Sequence, residues 1–374
     1  MMRPGTEHEL AQMVAGAAGP LRIIGGGTRS YGVALGEVLS TAGLGGVTLY
    51  EPGALTLVVQ AGTPLAEVEA LLAREGQCLP FEPMDHRGLL GTQGTPTIGG
   101  VVAANVSGPR RIAAGACRDF LLGVRFVDGM GRVLKNGGRV MKNVTGYDLV
   151  RLMAGSHGTL GVLSEVSLKV LPVARASATL ALEGLAPGRA VEALARALGS
   201  PFEVSGAAHV AAGQARTLIR LEGFAASARY RAERLCRLLA EFGDWQVLPE
   251  AGDLWRGVRD VSVLGDGDVW RVSARPSDGP ALAALVPGAV AVFDWGGGLI
   301  WLAVPEGTDL RAALGAFDGH ATLIRGAPDT KARLGVFAPQ AGPLAAIAAG
   351  LRARFDPRGI LNPGLMSPPE ERPA

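Results

Sequence analysis

Cysteine is scarce. Cys78, Cys117 and Cys236 are the only three in 374 residues, and no two of them form a C-x-x-C pair. That spacing excludes a cysteine-ligated cluster built from this chain alone and points to a reducing compartment. A surplus of charge is missing as well: 36 basic and 34 acidic residues are mixed along the chain, for a net charge of +2. The electrostatic footprint of a nucleic-acid-binding protein is therefore absent. No run of about 18 apolar residues occurs, and residues 1–19 carry Glu7 and Glu9 without a signal-type apolar core. Neither secretion nor a membrane span is expected, and the reading is a cytoplasmic protein. Two nucleotide motifs are also missing. No G-x-x-x-x-G-K-[ST] is present, and G-x-G-x-x-G fails at Ser30, with no amphipathic helix behind it to aim a dipole at a phosphate.

Glycine, by contrast, is abundant at 55 residues, about twice average usage. Residues 21–32, LRIIGGGTRSYG, read as a short buried strand followed by three glycines. Gly25, Gly26 and Gly27 let the backbone take positive φ and bring N–H groups against an anion, although a tight turn would use the same residues. Small residues dominate residues 91–111, GTQGTPTIGGVVAANVSGPRR, and glycines recur in residues 155–170, GSHGTLGVLSEVSLKV. A hydrophobic core needs larger side chains than these. A flat, extended cofactor with a pyrophosphate in its middle fits the space that they leave.

The order GGGT, T-I-G-G-x-x-A-x-x-x-x-G and G-x-x-G-T-L-G-V-x-x-E resembles the vanillyl-alcohol-oxidase, or PCMH, type of FAD-binding domain. SGPRR at 107–111, KNVTGYDLVRLMAGSHGTLGV at 142–162, DWGGGLIWL at 294–302 and FDPRGILNPGLM at 355–366 resemble the FAD-binding E-subunit family of bacterial glycolate oxidases. The likeness implies an α+β fold with a two-subdomain FAD-binding domain over residues 1–172 and a ferredoxin-like α+β cap over 173–343. A C-terminal segment, 344–374, returns to the FAD domain. It also implies FAD, a small 2-hydroxy-acid substrate, and partners of two kinds, a D-type FAD subunit and an F-type iron–sulfur subunit; since the triple-glycine loop supplies neither histidine nor cysteine for attachment, the FAD is expected to be noncovalent. The membrane would be reached only through those partners.

Periodicity supports the same division. Residues 55–61, LTLVVQA, read as a strand; Thr63 and Pro64 suit N-cap and first helical position, with Leu65, Val68 and Leu72 on the buried face. Residues 121–127 turn at 128–131 into a hairpin, so the sheet is expected to be mixed. Beyond Pro172 come a strand at 178–182, a helix at 189–198, a strand at 217–221 and a helix at 225–242. A looser set of strands follows at 269–274, 289–294 and 299–304. The last segment reads as a helix and then a turn-rich path set by Pro357 and Pro363.

The resemblance assigns roles by position. Gly25, Gly26, Gly27, Thr28 and Ser30 belong to the pyrophosphate, and Arg29 to the cofactor site without a narrower role. Thr97, Gly99, Gly100 and Asn105 belong to the opposite wall, and Gly108 to the cofactor site without a narrower role. Gly158, Gly161 and Val162 mark the adenine and ribose end, and Asn362 lies close to the flavin. Catalytic residues are harder to name, because oxidising a 2-hydroxy acid needs a base and a cation for the carboxylate. His86 is the best-placed histidine; His157 reads as structural, and His8, His209 and His320 lack accompanying motifs. The H-x-x-G-D-G-N-x-H of the D-type subunit is absent, since GDGD at 265–268 has no flanking histidine, and no metal is assigned. Arg110 and Arg111 are read as an exposed pair near a subunit contact, with a carboxylate anchor as the alternative. Lys142, Asn143, Tyr147 and Asp148 form a polar island of open role. His86 and Cys117 keep covalent flavin attachment in view. A stand-alone dehydrogenase and a non-catalytic structural subunit are the rival readings.

Overall fold

The computed structural model describes residues 1–29, 31–32, 34–140, 146–248 and 251–366. Its contacts divide the chain into two compact units. The first comprises Met1–Ser107, Ala116–Pro172 and Pro339–Ala374, and the second Gly108–Gly115 and Val173–Ala338. One division falls after Pro172, where the cap was expected to begin. The return to the first unit starts at Pro339 rather than at 344, and Gly108–Gly115, expected in the first unit, lies in the second.

In the first unit a five-stranded sheet runs in the order Val47–Glu51, Thr56–Gln60, Val162–Lys169, Leu121–Val127, Val133–Gly137. Every pairing in it is antiparallel, so the expected mixed sheet does not form. The reason is local: Thr56–Gln60 has antiparallel neighbours on both edges, so the following helix, Leu65–Arg74, feeds no parallel neighbour. That helix buries Leu65, Val68 and Leu72 as its periodicity predicts. Thr63 does not cap it. Its hydroxyl instead donates to the Gln60 carbonyl at 2.8 Å and closes the turn after the strand.

The parallel pairing sits in a separate two-stranded sheet, Leu21–Ile24 with Glu37–Ser40. A small core gathers beneath it: Leu10 and Val14 from the helix Glu7–Ala15, with Leu21, Leu39, Val127, Val162, Ile360 and Leu361. The C-terminal segment joins the same place, where Leu21 N donates to Ile360 O at 2.7 Å and Asn362 N to Leu21 O at 2.9 Å. Only Leu21 of the expected buried strand is fully covered. Ile23 and Ile24 are half-exposed because they face a cleft.

The second unit is an eight-stranded antiparallel sheet. In chain order it consists of two βαββαβ repeats, Ala176–Glu183 to Gln246–Leu248 and Asp268–Ala274 to Gly319–Arg325. Each repeat has its fourth strand beside its first and its third between first and second, the split-βαβ arrangement. The two join where Val204–Ala211 meets Val290–Asp294. Among the described residues no helix is long and apolar enough to cross a membrane.

Candidate functional site

The first unit holds a cleft open to solvent, of about 750 Å³ with the solvent at its open mouth included. One wall is the loop that leaves Leu21–Ile24. Of its glycines only Gly27 has positive φ, at 75°. Gly25 and Gly26 are needed for another reason: a Cβ at Gly25 would overlap the Thr97 hydroxyl, and one at Gly26 the Thr95 carbonyl. The two segments, 25–28 and 94–97, thus press backbone against backbone. Among the described residues the N–H groups of Gly26, Gly27 and Thr28 donate to no protein acceptor, which leaves three donors for an anion.

The facing wall is the short helix Ile98–Ala103. Thr97 caps it, its hydroxyl accepting from Gly100 N at 3.3 Å. Gly99 is pinned to the residue that follows the strand Thr56–Gln60, its N–H donating to Ala61 O at 2.8 Å. The end wall combines His157 and Gly158 with Asn362. The Asn362 Oδ1 accepts from Ile23 N at 2.6 Å, and its Nδ2 donates to His157 O at 2.8 Å. Burial pushes the His157 imidazole down to about 4, so it is neutral in this wall.

The expected residues Gly25, Gly26, Gly27, Thr28, Arg29, Thr97, Gly99, Gly100, Gly158, Gly161 and Asn362 all line this one cleft. Ser30, Lys142 and Asn143 lie outside the described residues. Three expected residues do not line it. Asn105, at φ 47°, turns its Oδ1 to Arg118 N at 3.0 Å. Val162 is buried in strand pairing with Val127. Gly108 belongs to the second unit, where its carbonyl accepts from Trp295 Nε1 at 3.1 Å. Sequence reading missed Ile23, Thr41, Ala61, Ala103 and Leu365 in the lining. Small or apolar residues carry no chemical signal of their own.

Two other expectations change. The Arg110–Arg111 pair is not an exposed surface. Arg110 pairs with Glu222 at 3.4 Å, with both side chains less than a fifth exposed, and Arg111 stacks over Trp295 at 4.4 Å. Both arginines thereby tie Gly108–Gly115 to the second unit. In the polar island, Asp148 caps the helix Leu149–Met153 by accepting from Arg151 N at 3.1 Å, and Tyr147 is exposed.

The histidine placed best by sequence, His86, is buried behind the cleft wall and bonded to Arg29 and Tyr31. Cys117 is buried too, and desolvation pushes its thiol well above the ordinary range. Among the described residues Arg29 is the one charged side chain in the lining at neutral pH, and no carboxylate lines the cleft. Free amide donors, small walls and a single cation fit a cofactor with a diphosphate at its centre, as FAD has.

Comparison with known proteins agrees. A family model described as an FAD binding domain matches residues 1–137. The glycolate oxidase subunit GlcE of Escherichia coli is 38% identical over 335 residues, covering 88% of this chain and 87% of that one. A D-lactate dehydrogenase of Archaeoglobus fulgidus is 29% identical over 189 residues, 49% of this chain and 41% of the relative. The glycolate oxidase subunit GlcD of Bacillus subtilis is 33% identical over 126 residues, 34% of this chain and 25% of that protein. Among solved structures, an alkyldihydroxyacetonephosphate synthase superposes with a TM-score of 0.69 at 16% identity, over 96% of this chain and 76% of that one. The last likeness carries the fold alone.

Proposed function

Because the chain belongs to the family of the glycolate oxidase subunit GlcE, with FAD as its cofactor, we propose that it is the FAD-binding subunit of a glycolate-oxidising complex. Its partners in this reading are a D-type flavoprotein and an F-type iron–sulfur subunit. The observation that carries it is the cleft, which among the described residues offers three unengaged amide donors and one cation yet holds no carboxylate. FAD, when bound, supplies the two-electron acceptor for oxidation of a 2-hydroxy acid to the 2-oxo acid.

In this reading the chain's own residues bind and orient. Gly26, Gly27 and Thr28 donate to the pyrophosphate, and Thr97 and Gly100 close the opposite side. Asn362 locks the end wall to Leu21–Ile24. A strong base is lacking among the described lining residues, since His157 at about 4 is a poor proton acceptor at neutral pH. That weighs against a self-sufficient dehydrogenase and for electron relay beside a subunit that handles the substrate.

Purified chain, with and without co-expressed D-type and F-type subunits, tests the proposal through glycolate-dependent reduction of an artificial acceptor. Turnover is expected only in the complex, with FAD present in both preparations. Full turnover by the isolated chain would favour the self-sufficient enzyme. Absence of flavin from both would remove the FAD reading.

A further inference from the structure

Arg29 comes with a built support. Its Nε donates to His86 Nδ1 at 3.3 Å and its Nη2 to the Met84 carbonyl at 3.3 Å. A guanidinium only donates, so His86 Nδ1 is an acceptor and the neutral ring carries its proton on Nε2, which faces Tyr31 Oη at 2.8 Å. His86 Nδ1 also lies 3.3 Å from the Met84 carbonyl. The one guanidinium thus reaches both His86 Nδ1 and the Met84 carbonyl.

Among the described residues Arg29 forms no ion pair, and the carboxylate that acts on it through space, Asp85, is itself bonded to Arg87 at 2.7 Å. Burial makes the charge costly and lowers the pKa of the guanidinium from its ordinary value. The remaining nitrogen, Nη1, makes no protein hydrogen bond among the described residues. It faces the cleft wall, 3.4 Å from where a Cβ on Gly100 would sit. Gly100 itself stands beside Thr97, against which the loop 25–28 is pressed.

We propose that Arg29, braced from behind by His86 and Tyr31, is the counter-charge to the cofactor's pyrophosphate, with Nη1 as the donor to it. His86 is then a positioning residue for that guanidinium, and neither a catalytic base nor a point of flavin attachment. The inference rests on the FAD reading above. An oxyanion of different origin, the carboxylate of a 2-hydroxy acid, has the same chemistry, and the experiment separates the two.

Deflavinated full-length chain is titrated with FAD, following flavin fluorescence at low and high salt, with thermal melting of each apo form as a folding control. Wild-type chain that fails to bind FAD would remove the underlying reading and this inference with it. Given wild-type binding, Arg29→Met is expected to raise Kd about 10- to 100-fold, the loss of one charge-assisted bond, and to flatten the salt dependence. Arg29→Lys should fall between the two, and it carries the comparison if Arg29→Met does not fold. His86→Leu should weaken FAD binding about 10-fold, whereas His86→Asn, whose Oδ1 can replace Nδ1 as acceptor, should restore it. Arg29→Met with FAD affinity within twofold of wild type overturns the assignment. So does a variant that keeps its FAD affinity while only the KM for glycolate in the complex rises, which would mark a carboxylate clamp.

Discussion

Asn362 and His157 are 205 positions apart, yet the Asn362 amide donates to the His157 carbonyl at 2.8 Å while its oxygen accepts from Ile23 N. One buried side chain thus fastens the C-terminal segment, the 155–161 turn and the first strand into a single end wall. Asn362 holds this place at φ 45°, a left-handed conformation that asparagine tolerates well.

Removing the side chain leaves two partly buried main-chain groups, Ile23 N and His157 O, without this partner, at up to about 1 kcal/mol each. Asn362→Gly keeps the backbone conformation and isolates that loss; Asn362→Ala adds about 1 kcal/mol of left-handed strain. Both should lower the urea midpoint of the chain, Ala more than Gly, and both should reduce retained flavin. Equal midpoints for wild type and Asn362→Gly would show that the end wall does not depend on this lock.

Gly26 and Gly27 should behave differently although they are neighbours. At Gly26 any Cβ meets the Thr95 carbonyl, so Gly26→Ala must push apart the segments 25–28 and 94–97 and should empty the cleft of flavin. At Gly27 nothing lies within 4 Å of an added Cβ, and only the φ of 75° resists alanine, at about 1–2 kcal/mol. Gly27→Ala should therefore keep much of its flavin. The ratio of absorbance at the flavin band to that of protein reads both, and a Gly26→Ala protein with normal flavin would refute the close-approach account.

Stability should fall in mildly acidic solution because of His209. It is fully buried in the second unit, its Nδ1 bonded to Thr217 Oγ1 at 3.0 Å, and burial pushes it down to about 4 from 6.5. The folded state therefore favours the neutral ring. Its contribution is complete above the unfolded value of 6.5 and is lost as pH falls toward about 4. The full difference is about 3 kcal/mol, at about 1.4 kcal/mol per unit. His209→Gln can keep a bond to Thr217 without titrating. Denaturant midpoints measured from pH 7 to pH 4 should fall less steeply for His209→Gln than for wild type, and parallel curves would exclude His209 as a cause.

Much of the cleft was legible in the sequence because it is made by residues whose defining property is smallness. Gly25–Gly27, Thr97, Gly99, Gly100, Gly158 and Gly161 signal by what they lack, and that signal survives without knowledge of the fold. The support of Arg29 was not legible, since His86 stands 57 positions away and its bond depends on how two loops meet. The strand Val204–Ala211 went unread for a different reason. Its sequence, VSGAAHVA, has little β propensity of its own, and it forms by pairing with Arg216–Gly223 on one side and Val290–Asp294 on the other. Arg110 and Arg111 look like surface charges in one dimension. They are covered because Glu222 and Trp295, more than a hundred positions along, come to meet them.

The attachment of the flavin yields the last prediction. Covalent attachment to this chain would need a reactive histidine or cysteine against the flavin. Cys117 is buried with its thiol pushed far up by desolvation, so the thiolate that would attack is not formed at neutral pH. His86 has Nδ1 engaged by Arg29 and Nε2 facing Tyr31, and it sits behind the wall rather than in it. His157 lines the cleft, but its ring is packed edge-on to Tyr31, 5.7 Å between centroids. Acid precipitation should accordingly leave all the flavin in the supernatant, and phosphodiesterase treatment should raise its fluorescence, as hydrolysis of FAD to FMN does. Yellow colour that stays with the precipitated protein would overturn this, and a His157→Gln variant would then show whether that ring is the point of attachment.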